Sequence, residues 1–222
     1  MRAPEQLGPY VYRQSDTCFP LGRDTLLLAE FAALRRGGRV CDLGCGAGAL
    51  PLLLLGREPT LRVTGIELDV EDARLARQNL AENGLTGEVY AADLRRVREF
   101  LPPGGFELTV SNPPYFPRHA GASGGPARME ERCTLADVCG AAAYLTKNGG
   151  RFALVHRPER LCDIVEALRA QGLEPKRLRL VRHGPEHPPF AALVESVRQG
   201  RPGLEITVQT LHPQEGTDPV RP

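Results

Sequence analysis

The sequence predicts an α/β fold: a mostly parallel sheet with helices on both faces. Three observations predict it. Short apolar strand-like runs alternate with helix-like stretches along most of the chain, and that alternation calls for a parallel sheet closed by right-handed crossovers. A glycine-rich loop, Gly44-Cys45-Gly46-Ala47-Gly48, follows the first such strand and precedes a helix. Residues able to do chemistry (Asp42, Glu67, Asp93, Asn112) all fall at the carboxyl ends of predicted strands, the rim where such sheets bind ligands.

Taken in order, residues 1–22 hold little periodicity, although Tyr10-Val11-Tyr12 suits a strand and residues 14–22 read as a loop able to fold over a site. Residues 23–34 are helical and end at Gly37-Gly38. Residues 39–43 form the strand that opens into the glycine loop, and a helix covers about 49–56. Residues 61–67 are the second strand. Asp69 caps the next helix, with Ala73, Ala76 and Leu80 at helical spacing and Gly84 as its stop. Residues 88–92 make the third strand, ending at Asp93, and a short helix runs from Leu94 to Leu101. The fourth strand, 106–110, leads into Ser111-Asn112-Pro113-Pro114-Tyr115-Phe116. A glycine-rich loop (117–129), a helix (135–145), a fifth strand (152–156), a helix from Pro158 to Gly172 and an antiparallel pair (177–182 and 190–198) complete the pattern. The expected organisation is a single domain over 1–222: an N-terminal covering segment and helix (1–38), the sheet core (39–200) and a C-terminal tail (201–222), rich in Pro, Gly and charge towards its end.

Composition excludes several classes. At 222 residues, 41% hydrophobic and 25% charged, the chain is an ordinary globular one with a sizeable core. No apolar run is long enough to span a bilayer. Met1 to Glu5 offers no signal-peptide core, so a cytoplasmic protein is expected. Net charge is +1, which does not announce a polyanion binder, and local clusters such as Arg95/Arg96/Arg98 read equally as solvated faces. The six cysteines form no Cys-x-x-Cys pair and have no His at zinc spacing. They read as small buried apolar residues, and no metal is expected.

The glycine loop with Ala49 fits G-x-G-x-x-G/A, and Glu67 lies about 20 residues on, where ribose hydroxyls are held. This indicates a nucleoside cofactor without choosing between a dinucleotide and S-adenosyl-L-methionine. Three features favour the latter. Asp42 precedes the loop, where a carboxylate suits an ammonium group and repels a pyrophosphate. Asp93 is placed to accept from an adenine amino group, although it equally suits an N-cap for the helix beginning at Leu94. Asn112 and the carbonyl of Pro113 form an acceptor pair for the two hydrogens of one NH2 on a flat ring. Pro113 and Pro114 stiffen that turn, Asn112 is pushed towards extended geometry by the proline after it, and Tyr115 can stack on the ring.

These residues resemble the class I S-adenosylmethionine-dependent methyltransferases, and within them the tRNA adenine-N6 methyltransferases that modify the purine beside the anticodon of a valine tRNA. The resemblance spans roughly residues 7–212. It is carried by Asp24-Thr25-Leu26-Leu27-Leu28, by Asp42 to Gly48, by Gly65-Ile66-Glu67-Leu68-Asp69 with Asn79 and Asn83, and by Ser111 to Phe116. It implies a Rossmann-like seven-stranded sheet whose last strand runs antiparallel. It also implies S-adenosyl-L-methionine as cofactor, held by Asp24, Asp42, Gly44, Gly46, Gly48, Glu67, Leu68, Asp93, Leu94 and Asn112. Asn112, Pro113, Pro114 and Tyr115 are then the catalytic motif. Tyr115, Phe116 and Arg128 face the substrate, Arg128 as a phosphate contact or equally a surface arginine, and tRNA is the expected partner. Rival substrates with the same amine or amide chemistry are an rRNA guanine, a DNA adenine and a protein glutamine. A rival of another class is an RNA-binding module without donor binding.

Overall fold

The computed structural model describes residues 2–16, 18, 20–113 and 133–211. A two-stranded antiparallel hairpin, β1 (Glu5–Leu7) and β2 (Tyr10–Tyr12), precedes helix α1 (Arg23–Phe31). There follow β3 (Arg39–Leu43), α2 (Ala49–Arg57), β4 (Arg62–Glu67), α3 (Val70–Glu82), β5 (Gly87–Ala91), a 3-10 helix (Leu94–Glu99) and β6 (Phe106–Ser111). Next come α4 (Leu135–Leu145), β7 (Thr146–His156), a 3-10 turn (Pro158–Arg160), α5 (Leu161–Ala170), β8 (Leu173–Arg182), β9 (Ala191–Arg198) and β10 (Glu205–Thr210).

The main sheet has the order β10-β8-β9-β7-β6-β3-β4-β5. Its strand pairs are parallel except those that β9 makes with β7 and β8. The expected antiparallel strand is therefore present, but the sheet has eight strands rather than seven. The added one, Glu205–Thr210, pairs in register with Arg177 to Arg182 of β8 and lies inside the stretch expected as a tail. Its alternating Glu-Ile-Thr-Val-Gln-Thr is a strand pattern; the Pro- and Gly-rich residues around it obscured that signal.

Period-two alternation sends side chains to two cores. Val40, Val63, Ala153 and Val155 pack with α1, α2 and Leu75 and Leu80 of α3 on one face. Cys41, Leu43, Ile66, Phe152 and Leu154 pack with α4, α5 and Val97 of the first 3-10 helix on the other. The chain runs outward through β3, β4 and β5, then returns to place β6 on the other side of β3. The reversal opens a crevice between the carboxyl ends of β3 and β6, the point where such sheets take ligands.

Candidate functional site

The glycine loop springs from the end of β3. Gly44 N and Cys45 N both donate to Ile66 O, at 2.8 and 3.1 Å, so the loop is tied to β4 before it turns. Gly44 has φ +80°, and a Cβ there would meet nothing within 4 Å; the backbone faces open space. Gly48 has φ +87°, and a Cβ there would stand 3.2 Å from the Ala76 Cβ, so the loop rests directly on α3. Both positions need the left-handed region that glycine enters without penalty.

The acids surround this loop. Asp42 is 3% exposed, and its Oδ1 has no hydrogen-bond partner among the described residues. Burial, then the Glu67 carboxylate, push its carboxyl up to about 8. Glu67 Oε2 accepts from Gly46 N at 2.9 Å and Oε1 from Asp69 N at 2.8 Å. Burial raises the Glu67 carboxyl, against the opposing pull of those amides. Asp69 caps α3, accepting from Glu71 N and Asp72 N. Leu68 is 47% exposed at the strand end, an apolar side chain on the rim beside Glu67.

Asp93 realises the capping alternative. It accepts from Arg95 N at 2.9 Å at the head of the 3-10 helix, and the Arg95 guanidinium closes on it at 2.5 Å. That contact holds its carboxyl below the usual range. Leu94 packs against the core on the α4 side. Asp24 lies half-buried in the first turn of α1.

Across the crevice, Ser111 Oγ donates to Leu43 O at 2.7 Å, pinning the end of β6 to the end of β3. Asn112 follows. Its Nδ2 donates to Thr25 Oγ1 in α1 at 2.9 Å, which fixes the plane of the amide. Asn112 and Pro113 are half-buried. Because β3 pairs with both β4 and β6, Asp42, the glycine loop, Glu67 and Asn112 lie at neighbouring strand ends. Pro114, Tyr115, Phe116 and Arg128 lie outside the described residues. His156, at the end of β7, is 5% exposed; burial and the nearby Arg160 bring its imidazole down to about 4, so it is neutral at pH 7.

The sequence did not disclose the roles of Thr25 and Asn79. Thr25 orients Asn112 from 87 residues away, and no local spacing encodes that. Asn79 is 1% exposed and donates to Ala47 O at 2.8 Å. Asn79 and Asn83 at i, i+4 on an otherwise amphipathic helix were the available signal, since a buried amide needs partners.

A family model described as the methyltransferase small domain matches residues 21–168, more than half of the chain. The chain belongs to the methyltransferase small-domain family. Relatives of this methyltransferase include the tRNA1(Val) (adenine(37)-N6)-methyltransferase of Porphyromonas gingivalis, 31% identical over 193 residues, covering 82% of this chain and 76% of that one. The protein of the same description from Cronobacter sakazakii is 33% identical over 166 residues, covering 69% and 67%. The crystal structure of a protein described as a predicted O-methyltransferase, from Agrobacterium tumefaciens, superposes with a TM-score of 0.71 at 26% identity, covering 86% of this chain and 88% of that one.

The protein is therefore a class I methyltransferase whose cofactor is S-adenosyl-L-methionine. The crevice fits that group: among the described residues the buried Asp42 Oδ1 lacks a partner and nothing stands within 4 Å of a Cβ on Gly44, and Glu67 stands at the next strand end. Among the described residues, no cluster of three His, Cys, Asp or Glu suits a metal ion, and no helix is long and apolar enough to cross a membrane.

Proposed function

We propose that this methyltransferase methylates the N6 amino group of an adenine in RNA, with tRNA as the substrate and the cytoplasm as its place of work. The observation that carries the reading is the Asn112–Pro113 pair at the end of β6, with the Asn112 amide oriented by Thr25, on the strand that pairs with β3, which bears Asp42 and leads into the glycine loop. The relatives' described activity on adenine in tRNA supports the choice among amine substrates.

S-adenosyl-L-methionine, when bound, supplies an electrophilic methyl group on its sulfonium. Asp42 would hold its ammonium group, the loop backbone at Gly44, Gly46 and Gly48 would lie along it, and Glu67 would accept from its ribose hydroxyls. Leu68 and Leu94 would flank its adenine, and Asp24 would approach from α1. Asp93 joins them only if Arg95 yields its place on the carboxylate.

An exocyclic adenine nitrogen is a weak nucleophile because its lone pair is delocalised into the ring. Asn112 Oδ1 and the Pro113 carbonyl would accept its two hydrogens and draw the nitrogen towards tetrahedral geometry, with the lone pair aimed at the donor. Positioning and fixed dipoles then carry the rate, without a strong base. Pro114 would keep the turn stiff, Tyr115 would stack on the base for about 1–3 kcal/mol, Phe116 would wall the pocket and Arg128 would meet a phosphate. A base within folded RNA must turn outward to reach such a site. The test is Asn112→Ala: turnover is lost while donor affinity holds, and an active variant would sink the assignment.

A further inference from the structure

Helix α3 carries a polar stripe that donor contact alone does not explain. Asp72, Asn79 and Asn83 follow one another at seven and four residues, with Ala76 between the first two, so they share one face of the helix. Asn79 and Asn83 hold the N-terminal segment by its backbone, and Asp72 lies beside Ser15 and Cys18 of the same segment. Asn83 Oδ1 accepts from Val11 N at 2.9 Å, and its Nδ2 donates to Val11 O at 2.7 Å. Asn79 repeats the arrangement on Arg13, accepting from its N at 2.9 Å and donating to its O at 2.8 Å. The hairpin register pairs Leu7 with Tyr10 and Glu5 with Tyr12 around a two-residue turn, so Val11 and Arg13 direct their backbone groups off the other edge. Two side-chain amides thus stand where a third strand would lie.

Asn79 differs from Asn83 in one bond. Its second Nδ2 hydrogen goes to Ala47 O, inside the glycine loop, at 2.8 Å. One buried amide therefore joins the hairpin edge to the loop. The segment then continues along the same stripe. Cys18 N donates to Ser15 Oγ at 2.9 Å, and Ser15 and Cys18 stand beside the Asp72 carboxylate, drawing it down against the burial that raises it. Cys18 Sγ comes within 3.9 Å of where a Cβ on Gly46 would stand. Three contacts thus press on the loop from α3 and the N-terminal segment: Ala76 at Gly48, Asn79 at Ala47 and Cys18 at Gly46.

We propose that Asn79 is a positioning residue for donor binding, coupling the seating of residues 11–16 to the shape of loop residues 44–48. This rests on the assignment of that loop to the donor. Coupling is reciprocal: whatever the seated segment contributes to donor affinity, the donor returns as stability of the segment.

The test is amide hydrogen exchange on the full-length protein, with and without S-adenosylhomocysteine, alongside calorimetric affinities for wild type, Asn79→Ala and Asn83→Ala. Wild type should gain protection at residues 44–48 and also at Val11 and Arg13. Asn79→Ala should weaken affinity by about tenfold and Asn83→Ala by much less. Asn79→Ala should also lose the gain at residues 11–13 while keeping that at the loop. A merely structural Asn79 would lower the melting temperature without breaking this transfer. Protection at the loop with none at residues 11–13 in wild type overturns the coupling and leaves the donor assignment standing. No protection at the loop overturns both. Should Asn79→Ala not fold, the wild-type exchange pattern decides alone.

Discussion

Asp42 carries a charge problem that donor binding as proposed would solve. Its carboxyl sits near 8 against an ordinary 3.8, so between those values the folded protein binds a proton that the unfolded chain does not. With no donor bound, stability from this group is complete below about pH 4 and is lost as pH rises towards 8. The donor's ammonium group, placed beside Oδ1 as proposed, would favour the carboxylate, so donor binding in that window should release a proton. Donor affinity should rise with pH by up to about tenfold per unit and level off above 8. Asp42→Asn should remove the slope, which calorimetry in buffers of differing ionisation enthalpy would read. The other residue-scale expectation concerns Thr25. Thr25→Val removes the hydroxyl that holds the Asn112 amide; kcat should drop roughly 10- to 100-fold with donor affinity unchanged, by single-turnover methyl transfer. At this scale the placement of Asp42, Glu67 and Asn112 at neighbouring strand ends was legible because a strand end, a glycine loop and a proline turn mark them locally. Asp93 had two readings, and the 3-10 helix it caps took it. Thr25 and the Asn79–Ala47 bond depend on tertiary proximity that sequence spacing does not carry.

Among the elements, the glycine loop and α3 act together. Gly48 combines φ +87° with a 3.2 Å approach to Ala76, so Gly48→Ala suffers both backbone strain and a clash. The expected cost is about 1–2 kcal/mol from the left-handed conformation alone, together with weaker donor binding, since the loop must lift off α3. A denaturant melt and a donor titration check both parts. Most elements were readable from periodicity and punctuation: α4 begins and ends where expected at Leu135–Leu145, with Thr134 and Asp137 forming a capping box. The two missed strands were short or flanked by breakers, while β7 and β8 begin earlier than expected, at Thr146 and Leu173. β1 has three residues, too few for alternation to register. β10 stands on the sheet edge with Ile206 and Val208 largely exposed, so no core requirement announced it.

The whole molecule is a sheet with two independent cores, and the crevice lies where the strand order reverses. Phe152 and Leu54 are fully buried on opposite faces. Phe152→Ala should cost about 3–5 kcal/mol and Leu54→Ala about 2–5 kcal/mol. The double variant should be nearly additive, because the sheet separates the two cavities; a large coupling in urea unfolding would contradict the two-core description. The parallel sheet was legible from the alternation of elements alone. The identity of the substrate was not, because an acceptor pair built from Asn112 and Pro113 serves any planar amine. The most direct measurement of the central claim is transfer of a labelled methyl group from S-adenosyl-L-methionine to total tRNA, rRNA, duplex DNA and protein extract, with nucleoside analysis of the product. The account predicts N6-methyladenosine in tRNA, lost in Asn112→Ala. Label on guanine or in protein, or label in tRNA that survives Asn112→Ala, would contradict it.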